Sequence, residues 1–533
     1  MQGNRRRLVL AGGLGSLLQA CGGGGSPSPS PSPSPSPSPT PSPTPTPAPS
    51  PAVAWACYGG NAQHSAQSLR STQALKRIVW STPVDKVPPY RAGGTLLIHY
   101  GTPAISTANT VLVPVKTSSA GDFQVEARKA SDGSVMWTQA TDYRLPVSSW
   151  TPAFNIALDP QQRVYIPALG GRVIIRDQVD QAAGSSRRLA FYGDAAYAAN
   201  PAAYEATVLI NTPLTVDAKG TVFFGFQALA DAPGGLKGGI ARIAADGTAR
   251  WASAADLSAD AGMYQASMNA APALSNDGQT LYVSVNSEAV TGIAQTGYLL
   301  ALDANTLALK AKQRLINPLS GQPARISDSS TASPSVGPDG DVFYGVLDGD
   351  RGSHNGRGWL LHFDAALQTA KTPGSFGWDD TPSIVPASAV PGYAGASSYL
   401  LLVKYNNYYG IGSGDGQNKM ALLDPQAAQA DPIAPQVSVM REVLSVVGPT
   451  ADPETPGGVR EWCVNSAVID VPGQSALVNN EDGSIYRWDF KTNRFSESVK
   501  LNGGLGQAYT PTLAGPDGMV YAINGAQLHA IGR

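Results

Sequence analysis

Carboxylate, amide and aromatic side chains recur at one position of a repeated unit, just before a short apolar run. Asp379, Asp380 and Glu461 offer oxygen ligands of the kind that a hard cation such as Ca²⁺ prefers, and asparagine carbonyl oxygens can complete such a site. An indole ring can stack on a planar ligand, and a carboxylate beside the cation can accept a proton from an alcohol. Asp380 is the candidate base, and Asp379 and Glu461 are the candidate metal ligands. The candidate contacts of a planar ligand are Trp150, Asn211, Asn269, Trp462, Asn465 and Tyr509.

A structural role for the same residues stays open, because Asp and Asn side chains often bond neighbouring backbone at turns. Other kinds of chemistry have weaker support. The five histidines are scattered without paired metal-ligand spacing, and no serine lies in a nucleophile-elbow pattern. The formal net charge of −2 gives no electrostatic reason to expect a nucleic-acid partner.

The elements that must position these residues come from eight copies of one short sequence motif, the repeated phrase. Each copy has a small residue, then Pro in all but one copy, a short apolar run, an Asp-Gly-like turn and a Val-Tyr-like strand. Strand-rich repeats of roughly 40–60 residues are typical of propeller blades. The sequence therefore predicts an all-β, eight-bladed β-propeller of four-stranded blades over residues 53–533, with the candidate residues at the mouth of its central channel. The copies begin at Thr102, Thr151, Thr212, Ala271, Ser333, Thr381, Ser466 and Thr510.

The final copy is short, because the chain ends at Arg533 before an outer strand can follow. Residues 75–80, ahead of the first copy, look like an unpaired outer strand and end in Trp80. We predict that this N-terminal strand completes the last blade. Closure of this kind removes the two exposed sheet edges that an open array would leave.

Several segments resemble the pyrroloquinoline-quinone-like propellers. Residues 59–64 read Gly-Gly-Asn-Ala-Gln-His after Trp55, as in the entry segment of that family, and residues 302–306 and 487–492 resemble its strand repeats. The resemblance covers nearly all of the chain from Trp55 onward and implies a quinoprotein alcohol dehydrogenase-like fold. In the dehydrogenases of that family, pyrroloquinoline quinone (PQQ) and Ca²⁺ lie on the axis with an Asp base, and the quinone stacks between a Trp and a disulfide of adjacent cysteines. This chain has no adjacent cysteines, which favours a binding propeller over an enzyme.

The N-terminus has the pattern of an export signal. Three arginines at 5–7 precede an apolar stretch at 8–18, and small residues lead to Cys21. This resembles a bacterial lipobox and implies a signal peptide over residues 1–21 with a lipid on Cys21. The Arg-Arg-x-Leu-Val order also resembles a twin-arginine signal. A cleaved, soluble secretory protein with Cys21 in its linker is the alternative.

Residues 22–52 are a Gly run followed by Ser-Pro and Thr-Pro repeats, a composition that predicts a disordered linker. As a polyproline II spacer it reaches roughly 80 Å at ~3.1 Å per residue. The signal and linker predict a cell-envelope lipoprotein that contacts the membrane through its lipid anchor only. Gly22 instead of Asp after Cys21 favours the outer membrane, with the propeller facing the periplasm or the cell surface.

Two cysteines follow Cys21, namely Cys57 and Cys463. An isolated pair in an oxidising compartment predicts a disulfide between them, and two buried free thiols are the alternative.

Together these patterns favour an exported, lipid-anchored propeller that binds an envelope protein or a small planar ligand at its axis. The alternative is a periplasmic quinoprotein dehydrogenase that oxidises alcohols or sugars with PQQ and Ca²⁺. A polysaccharide-binding or polymer-degrading module is a third possibility.

Overall fold

Eight small, mostly antiparallel sheets follow one another along the chain, and each corresponds to one copy of the repeated phrase. The chain is an eight-bladed β-propeller, as the repeats predicted. The computed structural model describes residues 55–88, 100–118, 122–146, 154–288, 295–326, 332–348, 353–462, 466–502 and 512–533. These residues belong to one unit, residues 51–533. Cys21, the predicted signal peptide and residues 22–52 of the predicted linker lie outside the described residues.

In the first half of the chain the strands are short, and within each blade they follow one another in the chain from the innermost to the outermost. Two strands precede blade 1, namely β1 (Gln67–Ser68) and β2 (Arg77–Pro83). Blade 1 contains β3–β6 (Ala104–Ile105, Thr110–Lys116, Phe123–Lys129, Val135–Thr141). Blade 2 contains β7–β10 (Ala157–Leu158, Val164–Ala168, Arg172–Arg176, Ser186–Ala190). Blade 3 contains β11–β15 (Val208–Ile210, Thr215–Val216, Val222–Ala228, Gly239–Ile243, Ala249–Ser253). Blade 4 contains β16–β20 (Met263–Ala266, Ala273–Leu274, Thr280–Ser287, Gly297–Asp303, Leu309–Arg314).

The second half repeats the pattern with two departures, in blades 5 and 6. Blade 5 contains β21–β23 (Ser335–Val336, Val342–Val346, Trp359–Phe363). Blade 6 contains β24–β27 (Ser383–Pro386, Tyr399–Tyr405, Lys419–Ala430, Ser438–Val447). Blade 7 contains β28–β31 (Val468–Asp470, Ser475–Asn479, Ser484–Asp489, Arg494–Lys500). Blade 8 contains β32–β34 (Leu513–Ala514, Val520–Asn524, Gln527–Gly532). The α-helices are α1 (Asp194–Ala199), α2 (Pro201–Thr207) and α3 (Ala254–Ser258), and short 3₁₀ turns span Leu169–Gly171, Pro233–Gly235, Ser353–Gly356 and Ala387–Ala389.

Burial explains why these sequences form strands at their positions. The inner and middle strands are buried on both faces, as in β13, where all seven residues are buried between neighbouring blades. The outer strands alternate instead, as in β31, whose residues are alternately exposed and half-buried. The Asp246-Gly247 turn between β14 and β15 requires glycine, because φ is +89° at Gly247.

The ring closes as predicted, with a strand from near the N-terminus. Strand β2 pairs antiparallel with β34, placing Ile78 opposite Ile531 and Pro83 opposite Gln527. The Trp80 indole donates from Nε1 to the carbonyl of Ala130 at 2.7 Å. Blade 8 therefore has four strands drawn from both ends of the described chain.

The expectation of four strands in every blade is wrong for blade 5, which has three, and for blades 3, 4 and 7, whose sheets have five. In blade 5, residues 370–374 run antiparallel to β23 and make two isolated bridges, Phe363 with Ala370 and Leu360 with Gly374, instead of a regular strand. The distal part of the long β26–β27 hairpin of blade 6 packs on this edge. Ala434, Val437 and Val439 of this hairpin are buried in the same cluster as Trp359 and Phe363 of blade 5. The hairpin thus adds to the irregular outer edge of blade 5, where the N–H of Met440 also donates to the carbonyl of Pro373 at 2.8 Å. No helix within the described ranges is long and apolar enough to cross a bilayer.

Candidate functional site

The entry segment, residues 55–68, winds around the axis and caps the ends of the inner strands. In blades 1 to 7 the second residue of the inner strand offers this segment a backbone N–H. Trp55 forms a bridge with Ile105 of blade 1. In blades 2, 4, 5, 6 and 7 the capping bonds run from Leu158 N to Ala56 O (2.7 Å), Leu274 N to Ala62 O (2.7 Å), Val336 N to Gln63 O (3.0 Å), Ile384 N to Ser65 O (3.0 Å) and Ile469 N to Ala66 O (2.8 Å).

Blade 3 completes this pattern with a thiol. The backbone N–H of Val216 bonds the sulfur of Cys57, which takes the place of a carbonyl oxygen. Cys57 is free and fully buried, and burial raises its pKa to about 12. Its predicted partner Cys463 lies outside the described residues, so the disulfide stays a prediction. The entry segment therefore covers the axial edge of the inner strands.

Trp55, Tyr58 and His64 of the entry segment are buried, and two of them bond residues that precede inner strands. His64 donates from Nδ1 to the carbonyl of Pro334 at 2.6 Å, and burial lowers its pKa to about 4, so the imidazole is neutral. The His64 and Tyr58 rings are arranged edge to face, with their centres 5.3 Å apart. The Tyr58 hydroxyl donates to Thr381 Oγ1 at 2.9 Å, at the start of the blade 6 inner strand.

Hydroxyl residues at the starts of inner strands bond neighbouring blades to one another. The backbone N–H of Ala271 donates to Ser333 Oγ at 2.9 Å, and that of Ser333 donates to Thr381 Oγ1 at 2.8 Å. Ser383 Oγ both accepts from Ala467 N at 2.9 Å and donates to Ala467 O at 2.6 Å. The small hydroxyl residues of the repeated phrase therefore link blades 4 to 7 around the axis.

Asp380 is the predicted site residue with the most unusual environment. It is 2% exposed, and its Oδ2 has no hydrogen-bond partner in the described part of the chain. Burial, reinforced by the neighbouring Asp379, holds the pKa of the Asp380 carboxyl well above its usual range, although the Lys404 charge and a backbone hydrogen bond from Lys404 oppose this. Asp380 is therefore a protonated or easily protonated acid.

The role of Asp379 and Glu461 as metal ligands stays a prediction. Among the described residues, no group of three or more His, Cys, Asp or Glu side chains is placed to hold a metal ion. Asp379 is buried and has a φ of +54°. Glu461 is half-buried, and its backbone carbonyl accepts a hydrogen bond from Asn480 Nδ2 at 3.2 Å. A cation here would need oxygen ligands from other residue types.

The predicted asparagines bond backbone of the neighbouring blade. Asn211 Nδ2 donates to the carbonyl of Ala266 at 2.9 Å, and Asn269 N donates to the carbonyl of Asn211 at 3.0 Å. Trp462 is fully buried and packs near Tyr486 and Phe495, so its indole belongs to the core of blade 7. The structural alternative thus accounts for part of the predicted set. Trp150, Asn465 and Tyr509 lie outside the described residues.

Two buried cations near Asp380 were missed by the sequence reasoning. Arg357 and Lys404 are each 2% exposed. Lys404 carried a signal, since it stands alone in the apolar strand β25, which reads Tyr-Leu-Leu-Leu-Val-Lys-Tyr. Arg357 lies in a loop among glycines, and nothing in its local sequence indicates burial.

Comparisons with known proteins show the fold of this chain and nothing finer. No family model and no curated protein matches the sequence. Among solved structures, a europium-containing methanol dehydrogenase aligns with a TM-score of 0.54 at 10% identity, over 88% of this chain and 89% of its own. Quinohemoprotein alcohol dehydrogenases from Comamonas testosteroni and Pseudomonas putida HK5 align with TM-scores of 0.50 and 0.51 at 12% identity, over 90% and 91% of this chain and 76% of each of theirs. These likenesses show the fold, an eight-bladed β-propeller.

Proposed function

We propose that this protein is an exported, lipid-anchored propeller that binds a small polar ligand at the mouth of its axis as a binding or scaffold module of the cell envelope. One observation carries the proposal. Several buried polar side-chain atoms without hydrogen-bond partners lie at the starts of the inner strands. Within the described residues these atoms are Thr102 Oγ1, Asn211 Oδ1, Ser267 Oγ, Asp380 Oδ2, Ser466 Oγ, Asn479 Oδ1 and Asn524 Nδ2.

The positions of these atoms follow from the topology. Thr102, Asn211, Ser267, Asp380 and Ser466 precede inner strands, whereas Asn479 and Asn524 end the second strands of blades 7 and 8. In an antiparallel pair the end of the second strand lies beside the start of the first. Each buried polar atom left without a partner costs about 1–3 kcal/mol. A ligand with several donors and acceptors would satisfy these atoms together.

Attachment to the envelope belongs to the same proposal and rests on the sequence. The signal pattern ends at Cys21, and residues 22–52 would hold the propeller away from the membrane. Metabolic labelling with a palmitate analogue should mark the wild-type chain and not Cys21→Ser. Labelling of Cys21→Ser at the wild-type level would contradict the lipid anchor.

Native mass spectrometry tests the ligand. The full-length protein is incubated with a small-molecule extract of bacterial envelopes, and retained masses are compared between variants. We expect the wild type and the control Asp246→Ala, which changes an exposed turn, to retain the same compound. Asn211→Ala and Asp380→Ala should lose it. A wild type that retains no compound would overturn the proposal.

A second candidate function, oxidation of alcohols or sugars, is favoured by Asp380. The fold supplies the analogy with the dehydrogenases, and a buried carboxyl with a free oxygen is suited to accept a proton from a substrate hydroxyl. PQQ, when bound, would supply the electron-accepting chemistry. The fit to Ca²⁺ is poor, because the described carboxylates make no metal-binding group.

Titration with PQQ and Ca²⁺ separates the two functions. The dehydrogenase would be established if the wild type shows quinone absorbance and dye-linked alcohol oxidation and Asp380→Asn shows neither. Since burial raises the pKa of Asp380, such activity should increase with pH over the range in which the carboxyl ionises. A flat spectrum without turnover would leave the binding function.

A further inference from the structure

Arg357 is a buried cation without a counterion. Its guanidinium carbon lies 3.8 Å from the centre of the Tyr405 ring. Neither Nε nor Nη2 has a hydrogen-bond partner, and in the described part of the chain no carboxylate forms an ion pair with this side chain. Burying a charge without a partner is costly, so the arrangement calls for an explanation.

The free atoms of Arg357 share one edge of the guanidinium. Nε–H and one Nη2–H point in the same direction, which is the geometry of side-on, bidentate binding to a carboxylate or a phosphate. The Tyr405 ring covers a face of the guanidinium, so a hydrogen-bonding ligand has to approach in its plane. This edge is complementary to a planar or tetrahedral oxyanion.

A second buried cation lies nearby. Lys404 Nζ is 5.8 Å from the centre of the Phe376 ring, and Phe376 is 6.5 Å from Tyr405. Across the described ranges Lys404 forms no ion pair. Lys419, by contrast, also lies over Tyr405 at 4.7 Å but binds Glu442 at 2.8 Å. The Lys404 charge acts on the Asp380 carboxyl, so Lys404 belongs to the start of the blade 6 inner strand, and Arg357 is the cation left without a carboxylate in the described ranges.

We propose that Arg357 binds a small anion bearing a carboxylate or a phosphate group. The site goes beyond the axial ligand proposed above. Arg357 precedes β23, the third strand of blade 5, so it lies outside the ring formed by the starts of the inner strands. An anion bonded to Nε and Nη2 would satisfy both free donors at once.

Arg176 provides a matched control. Its guanidinium also stacks on an aromatic ring, that of Trp137, at 4.0 Å, and the residue is 6% exposed. Its Nη atoms, however, donate to the carbonyls of Gly184, Gln181 and Ala182 at 2.7, 3.2 and 3.0 Å. Loss of Arg176 should therefore weaken packing without affecting anion binding.

Isothermal titration of the full-length protein with sodium phosphate and, separately, sodium acetate tests the proposal at fixed ionic strength. We expect binding of at least one anion at a single site. Arg357→Gln should weaken it by at least about tenfold, whereas Arg176→Gln should bind as the wild type does. Binding of acetate alone identifies a carboxylate ligand, and binding of phosphate alone identifies a phosphate ligand.

Arg357→Lys serves as the second variant if circular dichroism shows that Arg357→Gln does not fold. It keeps the charge and loses the bidentate edge, so we expect a loss of at least about fivefold. The proposal is overturned if the wild type binds neither anion, if the Arg357 variants bind as the wild type does, or if Arg176→Gln loses as much affinity as they do.

Discussion

His64 shows how one residue can make the axis sensitive to acid. The imidazole is fully buried and neutral, with Nδ1–H bonded to Pro334 and a pKa of about 4. In the unfolded chain the same group has a pKa near 6.5. Because the unfolded state binds the proton more readily, stability present above about pH 6.5 is lost as the pH falls toward 4.

We expect the wild type to lose about 2 kcal/mol of unfolding free energy through His64 between pH 7 and pH 5. His64→Asn should lose correspondingly less, since asparagine does not titrate and tolerates the φ of +58° at this position. Urea unfolding of both proteins at the two pH values measures the difference. Equal losses in both proteins would mean that His64 is not protonated on unfolding.

Cys57 is expected to be unreactive in the folded protein. Burial and a pKa of about 12 leave almost no accessible thiolate for alkylation. Maleimide should therefore fail to label Cys57 in native protein, as judged by peptide mass mapping. Labelling after denaturation without a reductant would contradict the predicted disulfide with Cys463, and labelling only after reduction would support it.

Residue-level chemistry was partly predictable from the sequence. Asp380 could be selected because it stands just before an inner strand, a position that the repeat itself defines. Trp462 occupies a similar position, yet its ring turns into the core of blade 7. Arg357 could not be found, because its burial depends on Tyr405, which is distant in the chain.

The β26–β27 hairpin shows the same limit at the scale of an element. Its sequence predicts neither the length of the strands nor their packing on blade 5. Asp431 near its tip accepts from His354 Nε2 at 3.0 Å and from the hydroxyl of Ser375, as well as from the backbone N–H of Ile433 and Ala434. His354 stacks in turn on Trp359 of blade 5 at 3.8 Å.

We expect Asp431→Asn to lower the unfolding free energy by about 1–3 kcal/mol, because it disrupts a buried carboxylate that accepts four hydrogen bonds. Hydrogen bonds and the His354 charge hold the pKa of Asp431 below its usual range against burial, so its stabilisation is present above about pH 4 and lost in acid. Guanidinium unfolding at pH 7 measures the change.

Glu442→Gln is the control for this hairpin. It breaks the partly exposed pair with Lys419 on the same two strands and should cost less than about 1 kcal/mol. If Glu442→Gln costs as much as Asp431→Asn, the contact between the hairpin and blade 5 is not what stabilises this element.

At the scale of the whole molecule, the number of blades and the closure of the ring could be predicted because each depends on a repeated pattern. The path of the entry segment could not. Seven inner strands receive a backbone or thiol contact from residues 55–66, and these contacts join positions as far apart as Ala66 and Ile469. A short segment thus links nearly every blade, which makes the ring depend on its N-terminal part.

Trp80 tests how much the closed ring depends on the strand that joins its ends. The indole is 9% exposed, bonds the carbonyl of Ala130 in blade 1 and lies 5.9 Å from Tyr521 in blade 8, so it spans the closing interface. Trp80→Ala should lower the unfolding free energy by about 3–5 kcal/mol through the cavity it leaves and the carbonyl it leaves unbonded.

Trp251→Ala is the control, since this half-buried outer-strand Trp lies away from the closure. We expect a clearly smaller loss there, measured by chemical unfolding of both variants. Equal losses would show that closure adds nothing beyond ordinary packing between blades, and that the N-terminal strand is only one more outer strand.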